Sequence, residues 1–211
     1  MSDKTISDIS LRQLAENDYV GLLKLKNLIY PDHPISLNSF RHHENTRPEK
    51  IQHNHWVWEY DNVILCSVLY TQWVEVYHPQ KFVIQISVHP DYQGQGYGSF
   101  CYDFIINKLQ SLNPIKITVY VYEPHTRSFQ FMENRGFKNT FTERESNLDL
   151  RVYDPKLYQD KLDSVSQQGF RIVTLSKFRK EDDKADYKAW ELERDVGPDM
   201  PWVDPIIIPE F

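Results

Sequence analysis

The segment Val88-His89-Pro90-Asp91-Tyr92-Gln93-Gly94-Gln95-Gly96-Tyr97-Gly98-Ser99 constrains this chain more than any other. Before it, Lys81 to Val88 is an apolar run that reads as a strand. After it, Phe100, Phe104, Ile105 and Leu109 recur at helical spacing within Ser99 to Leu112. A strand must therefore become a helix inside this stretch. Three glycines at alternate positions are more than such a turn requires. Lacking Cβ atoms, they let the backbone bend tightly and leave N–H groups uncovered. At a helix N-terminus those groups converge where the dipole favours negative charge. The segment reads as a cradle for a pyrophosphate.

Several classes of partner are excluded or disfavoured. Gly94-x-Gly96-x-Gly98 is not Gly-x-Gly-x-x-Gly, and no acidic residue follows at the distance a dinucleotide fold requires. The absence of Gly-Lys-Ser/Thr excludes a P-loop. A net charge of -6 without a dense Lys/Arg run argues against nucleic acid. No apolar run approaches the roughly 20 residues that cross a bilayer. Met1-Ser-Asp-Lys-Thr lacks the regions of a signal peptide, so a cytoplasmic location is expected. With 40% apolar and 14% aromatic residues, the 211-residue chain can bury a core. Cys66 and Cys101 form neither a disulfide framework nor a zinc site and are expected to be buried thiols. Four of the eight histidines lie between His42 and His55. His42 and His43 cannot face the same way on a helix, whereas His53 and His55 share a face on a strand. This cluster reads as solvated or substrate-facing, and no metal site is expected.

The remaining patterns define an α/β (α+β) chain with a mixed, mostly antiparallel sheet flanked by helices. Ile6 to Leu14 reads as a strand. Asn17-Asp18 caps a helix carrying Val20, Leu23, Leu25, Leu28 and Ile29, which ends at Pro31. Asp32 to Ile51 reads as a second helix with loops. Trp56 to Tyr60 and Val63 to Thr71 form a hairpin about Asp61-Asn62. Ile115 to Tyr122 alternates as a half-buried strand. Thr126 to Asn134 is a short helix stopped by Gly136. Phe137 to Phe141 and Asn147 to Tyr153 are expected as closing strands, and Asp154 to Gln168 as a helix. From Ile172 the order strand, acidic cap, helix (Tyr187, Trp190, Leu192) and Pro-Asp-x-Pro repeats the order that follows Ile9.

Gln93-x-x-Gly96-x-Gly98 directly after Val-x-Pro at a strand end resembles the acetyl-CoA signature of the GNAT N-acetyltransferase superfamily. Val119 to Phe137, with Arg135-Gly136-Phe137 closing a helix, resembles its second conserved block. The resemblance covers Ile6 to Tyr153 and implies the GNAT-type acyl-CoA N-acyltransferase fold with acetyl-CoA as cosubstrate. It implies that backbone groups of Ile86 and Val88 bond the pantetheine, and that Gln93, Gly94, Gln95, Gly96, Tyr97, Gly98 and Ser99 hold the pyrophosphate. His125 stands where the family usually has Asn and would bond the pantetheine arm, and Ser128 stands where a small residue is common. The implied reaction is direct transfer of an acetyl group to an amine of a small molecule or peptide.

The catalytic pattern departs from the family. Many members carry a Tyr four residues before the Gly of Gly-Phe, and here that position is Met132, which cannot donate a proton. Tyr120 or Tyr122 could replace it, or a thiolate could leave unaided, since a thiol titrates near ~8.5. The candidate catalytic residues are Tyr122 and Glu123, with Glu75 as another base. The acceptor is expected between Tyr30 to Trp56 and Tyr70 to Tyr77. The expected organisation is a GNAT domain at 1–153, a linker helix at 154–171 and a partial second GNAT-like βα unit at 172–211, as in tandem-GNAT proteins. That last piece would serve assembly, on its own first domain or in a homodimer. The alternative function is a CoA-binding sensor or interaction module with little catalysis.

Overall fold

A computed structural model describes residues 10–201, 204, 206, 208, 210 and 211. It divides into two compact units, Met1–Phe131 and Met132–Phe211.

The first unit is built on a five-stranded sheet in the order β1-β2-β3-β4-β5. Its strands are β1 (Arg12–Gln13), β2 (His53–Tyr60), β3 (Val63–Thr71), β4 (Lys81–Val88) and β5 (Lys116–Val119). The first four pair antiparallel and β5 runs parallel to β4. Asp61 and Asn62 both adopt positive φ, 49° and 61°, as a two-residue hairpin turn requires. Helices α1 (Tyr19–Ile29) and α2 (Leu37–Thr46) cover one face of the sheet, where Leu22, Leu23, Leu25, Phe40, Val57 and Ile64 form a core cluster. Helix α3 (Tyr97–Gln110) covers the other face, setting Tyr97 on Trp58 and Phe104 against Trp56. Cys66 and Cys101 are buried and free, as expected.

Several elements differ from the sequence pattern. Strand β1 is confined to Arg12–Gln13, and Ile6 and Ile9 lie outside the described residues. On α1, Val20 and Leu28 are exposed, while Leu22, Leu25 and Lys26 fall on the buried stripe at i, i+3 and i+4. Lys26 thus occupies a position the periodicity assigns to an apolar residue. Strand β2 begins at His53, three residues before Trp56, because His55 is buried and bonded to Ser67. His53 and His55 are therefore interior groups, not solvated ones. Strand β5 ends at Val119 and leaves Tyr120 and Tyr122 beyond it, and its four residues are all half-buried without alternation. Helix α4 (Thr126–Glu133) matches expectation, and Gly136 closes it at φ 85° while the Phe137 N–H donates to the Met132 carbonyl.

In the second unit the expected closing strands at Phe137 to Phe141 and Asn147 to Tyr153 do not form. The Asp149 carboxylate accepts from the Arg151 N–H and guanidinium, and the Val152 N–H donates to the Asp149 carbonyl. This Asx-type turn curls the backbone and leaves Leu148, Leu150 and Val152 exposed. A short 3-10 turn (Pro155–Tyr158) leads into α5 (Gln159–Gln167). The strand expected at Ile172 is also absent. Thr174 instead caps α6 (Leu175–Glu181), with its hydroxyl accepting from the Lys177 N–H. Ion pairs Arg179–Asp186 and Lys188–Asp182 connect α6 to α7 (Ala185–Val196), which carries Tyr187, Trp190 and Leu192.

Candidate acyl-donor site

Strands β4 and β5 pair only from Lys81↔Lys116 to Ile84↔Val119. Beyond these residues β5 ends, while β4 continues to Val88 with β3 alone beside it. Backbone groups of β4 from Gln85 to Val88 thus border an opening where a neighbouring strand would lie. Ile86 and Val88, expected to bond a pantetheine arm, stand on this stretch.

The same strand leads into the glycine segment. The His89 N–H donates to the Leu65 carbonyl, and Pro90–Tyr92 makes a 3-10 turn. Gly94 and Gly96 take positive φ, 79° and 93°, and Gly96 is the N-cap of α3. The Phe100 N–H makes a helical bond to the Gly96 carbonyl, so the Tyr97 and Gly98 amides precede it. The Tyr97 ring turns inward onto Trp58 at 5.2 Å, leaving its backbone to the loop. Gln93 Nε2 donates to the Val88 carbonyl and Gln95 Nε2 to the Asp91 carbonyl, so both side chains brace the loop.

A cation that the sequence reading did not single out also stands here. A Cβ added to Gly94 would collide with the Arg127 guanidinium, so the glycine admits that group against the loop. Arg127 lies in the first turn of α4, and no sequence motif announces its nearness to Gly94. Ser128, beside it, is exposed, and its N–H donates to the His125 carbonyl. The Tyr122 carbonyl accepts from the His125 N–H. The His125 ring sits 5.2 Å from Tyr30 and 5.5 Å from Tyr122, and Tyr122 meets His33 at 5.6 Å. These four rings bring the end of α1 against the loop before α4. Burial pushes the Tyr30 phenol up. Tyr122 and Glu123 are exposed and lie in that loop, not on a strand as expected. Met132 is buried. Among the described residues, no three His, Cys, Asp or Glu side chains group as metal ligands.

The acetyltransferase (GNAT) family profile matches residues 22–137. The chain belongs to the GNAT acetyltransferase family. The match spans both the glycine segment and the helix that Gly136 closes. Solved structures agree on the GNAT fold. A transcriptional regulator from Bacillus halodurans C-125 is 15% identical, with 66% of this chain and 99% of that chain covered and a TM-score of 0.52. A tetramutant of the BH1408 protein of Bacillus halodurans is 18% identical over 66% and 99%, with a TM-score of 0.53. An aminoglycoside acetyltransferase from an uncultured soil metagenomic sample is 14% identical over 69% and 100%, with a TM-score of 0.54. A search of the curated proteins found no match. Members of the GNAT family generally use acetyl-CoA as acyl donor, and acetyl transfer is the reaction class of this chain. No helix among the described residues is long and apolar enough to cross a membrane.

Proposed function

We propose that this GNAT protein is an N-acetyltransferase that moves the acetyl group of acetyl-CoA directly to an amine of a small molecule or peptide. One observation carries the reading: the strand that loses its β5 partner after Ile84 leads, six residues past its end, to a left-handed glycine at Gly94, with Arg127 against it. The residues fit the donor. Gly94 and Gly96 keep side chains out of the loop, the helix N-terminus favours phosphate, and Arg127 supplies a positive charge. Ser99 lies in the first turn of α3 and Ser128 one residue after Arg127 in α4.

When bound, acetyl-CoA supplies its acetyl group as a thioester that the acceptor amine takes directly. The chain's own groups would position both reactants. Backbone N–H and C=O groups at Ile86 and Val88 would hold the pantetheine arm along the open edge of β4, and a backbone N–H there would polarise the acyl carbonyl. His125, fixed between Tyr30 and Tyr122, would offer a ring nitrogen to the same arm. The acceptor nitrogen must lose a proton, because only the neutral amine attacks. Glu123 would accept that proton, and the Tyr122 hydroxyl would supply one to the leaving sulfur. The absence of an acceptor-specific motif leaves a CoA-binding module with little catalysis as the competing reading, favoured by the buried Met132 at the family's Tyr position.

A screen of amines with acetyl-CoA, read as free thiol released, tests the assignment. Turnover of at least one amine is expected, and Tyr122→Phe and Glu123→Gln should each lower kcat about 100-fold. CoA binding with no turnover of any amine would favour the module. Full kcat in both variants would remove these two residues from catalysis.

A further inference from the structure

Among the interior groups that the proposed transfer leaves unused, one set is short of an anion. Lys26 on α1 is 8% exposed, and its Nζ donates to Gln85 Oε1 at 2.7 Å. That is its one hydrogen bond among the described residues, although an ammonium has three donors. Gln85 is the first residue of β4 past the point where β5 leaves it. Lys26 therefore stands at the apex of the opening that would receive the acyl group.

Around it the sheet presents more unused polar atoms. His55 is 6% exposed, shares a hydrogen with Ser67 Oγ at 2.7 Å through Nε2, and has no partner at Nδ1. His53, with its ring 6.1 Å away, has no hydrogen-bond partner at either nitrogen. The register sets His55, Leu69 and Gln85 side by side on β2, β3 and β4, so both histidines share the α1 face with Gln85. Burial, and with it the Lys26 charge, disfavours protonation of both rings. One carboxylate is near: Glu44 Oε1 lies 3.9 Å from His53 Nε2, but it is held by Arg47. A buried cation without a paired anion, next to imidazoles with unpartnered ring nitrogens, is a costly arrangement. A carboxylate would satisfy it, since its oxygens can accept from the ammonium and from an imidazole together. A proton relay is less well served, because His53 breaks any hydrogen-bonded chain.

We propose that Lys26, backed by His53 and His55, anchors a carboxylate of the acceptor, so that the acceptor is an amino acid or another amine bearing a carboxylate. The inference rests on the transfer reading above. The carboxylate would enter from the open edge at Gln85 and take the place of the Gln85 amide oxygen on Lys26. The acceptor amine, on the same small molecule, would then lie beside the acyl position on β4. Lys26 is thus a specificity-determining residue and not a proton carrier.

The test uses the full chain and matched pairs: twenty free amino acids and their carboxamides as acceptors, and the corresponding N-acetyl amino acids and N-acetyl amides as ligands. With wild-type protein, kcat/KM for the best free acid should exceed that for its amide about 30-fold or more, the lower end of what losing one partner of a buried charge pair costs. Lys26→Met should bring the ratio near one through a raised KM, with CoA affinity unchanged as proof of folding. In thermal shift, N-acetyl amino acids should stabilise wild type more than their amides do, and Lys26→Met should erase the difference. Equal turnover of acids and amides, or a preference that survives Lys26→Met, overturns the carboxylate anchor while leaving the transferase standing. If no amine is turned over yet the thermal shift still separates acids from amides in wild type alone, the anchor stands and the transferase reading fails. If neither assay separates acids from amides, the anchor fails outright, and this arm needs no variant.

Discussion

A single methyl group on Gly94 tests whether the cradle is built from two distant parts. In Gly94→Ala, the new Cβ would occupy space taken by the Arg127 guanidinium and would hold an L-residue at φ 79°. The backbone strain amounts to about 1–2 kcal/mol and appears as lost stability. Displacement of Arg127 appears in binding instead. A charge-assisted bond to phosphate contributes about 1.5–3 kcal/mol, so CoA affinity should fall about 10- to 150-fold. Arg127→Ala should cause a loss of similar size with little change in Tm, because that side chain is exposed. In the double variant, the second substitution should cost almost no further affinity, a coupling of about 1.5–3 kcal/mol. Isothermal titration of CoA at fixed salt, with thermal unfolding in parallel, measures all four corners. An unchanged CoA affinity in Gly94→Ala, or losses that add fully in the double variant, would refute the two-part cradle.

Three further outcomes follow from interior charge and turn geometry. Burial lowers Lys26 from its ordinary 10.5 to about 8, so the unfolded chain holds that proton more tightly. Stability should therefore rise by about 3 kcal/mol as pH is raised from 8 to 10.5, and denaturant midpoints of Lys26→Met should lack this rise. Burial likewise lowers His53 from 6.5 to about 4. Stability should thus fall as pH drops through that window, and denaturant titration of His53→Gln should show a shallower acid loss. Asn62 adopts φ 61° in the hairpin turn, where glycine carries no steric penalty. Asn62→Gly should raise stability by up to about 1 kcal/mol, and a lowered Tm would contradict the assigned turn.

How legible each part was depended on how local its cause is. Strands β3 and β4 are found where their apolar runs end, because Asp61-Asn62 on one side and Pro90 on the other stop them through backbone geometry alone. The glycine loop was equally readable, since positive φ at Gly94 and Gly96 is a property of the residues themselves. What escaped depends on partners remote in sequence. Nothing in the spacing of Arg127 says that it approaches Gly94, 33 positions earlier. His53-Asn54-His55 resembles a loop until Ser67 and the α1 face are placed around it. The segment at Leu148 to Val152 alternates as a strand should, yet the Asp149–Arg151 turn prevails where no neighbouring strand pairs with it. Tyr122 lost its strand because β5 stops at Val119.

The uninterrupted run of β4 past the end of β5 also works as a ruler. From Ile84, where pairing with β5 stops, to Val88, where the turn toward Gly94 begins, there are four strand steps of about 3.3 Å each. In the proposed binding mode, the span between the acyl position and the phosphate cradle is therefore counted in residues, not chosen by side-chain chemistry. One residue added or removed would change the reach by a full step and turn every later side chain to the opposite face. In the proposed binding mode this stretch tolerates no change of length, so the donor's arm is matched by the arithmetic of the backbone.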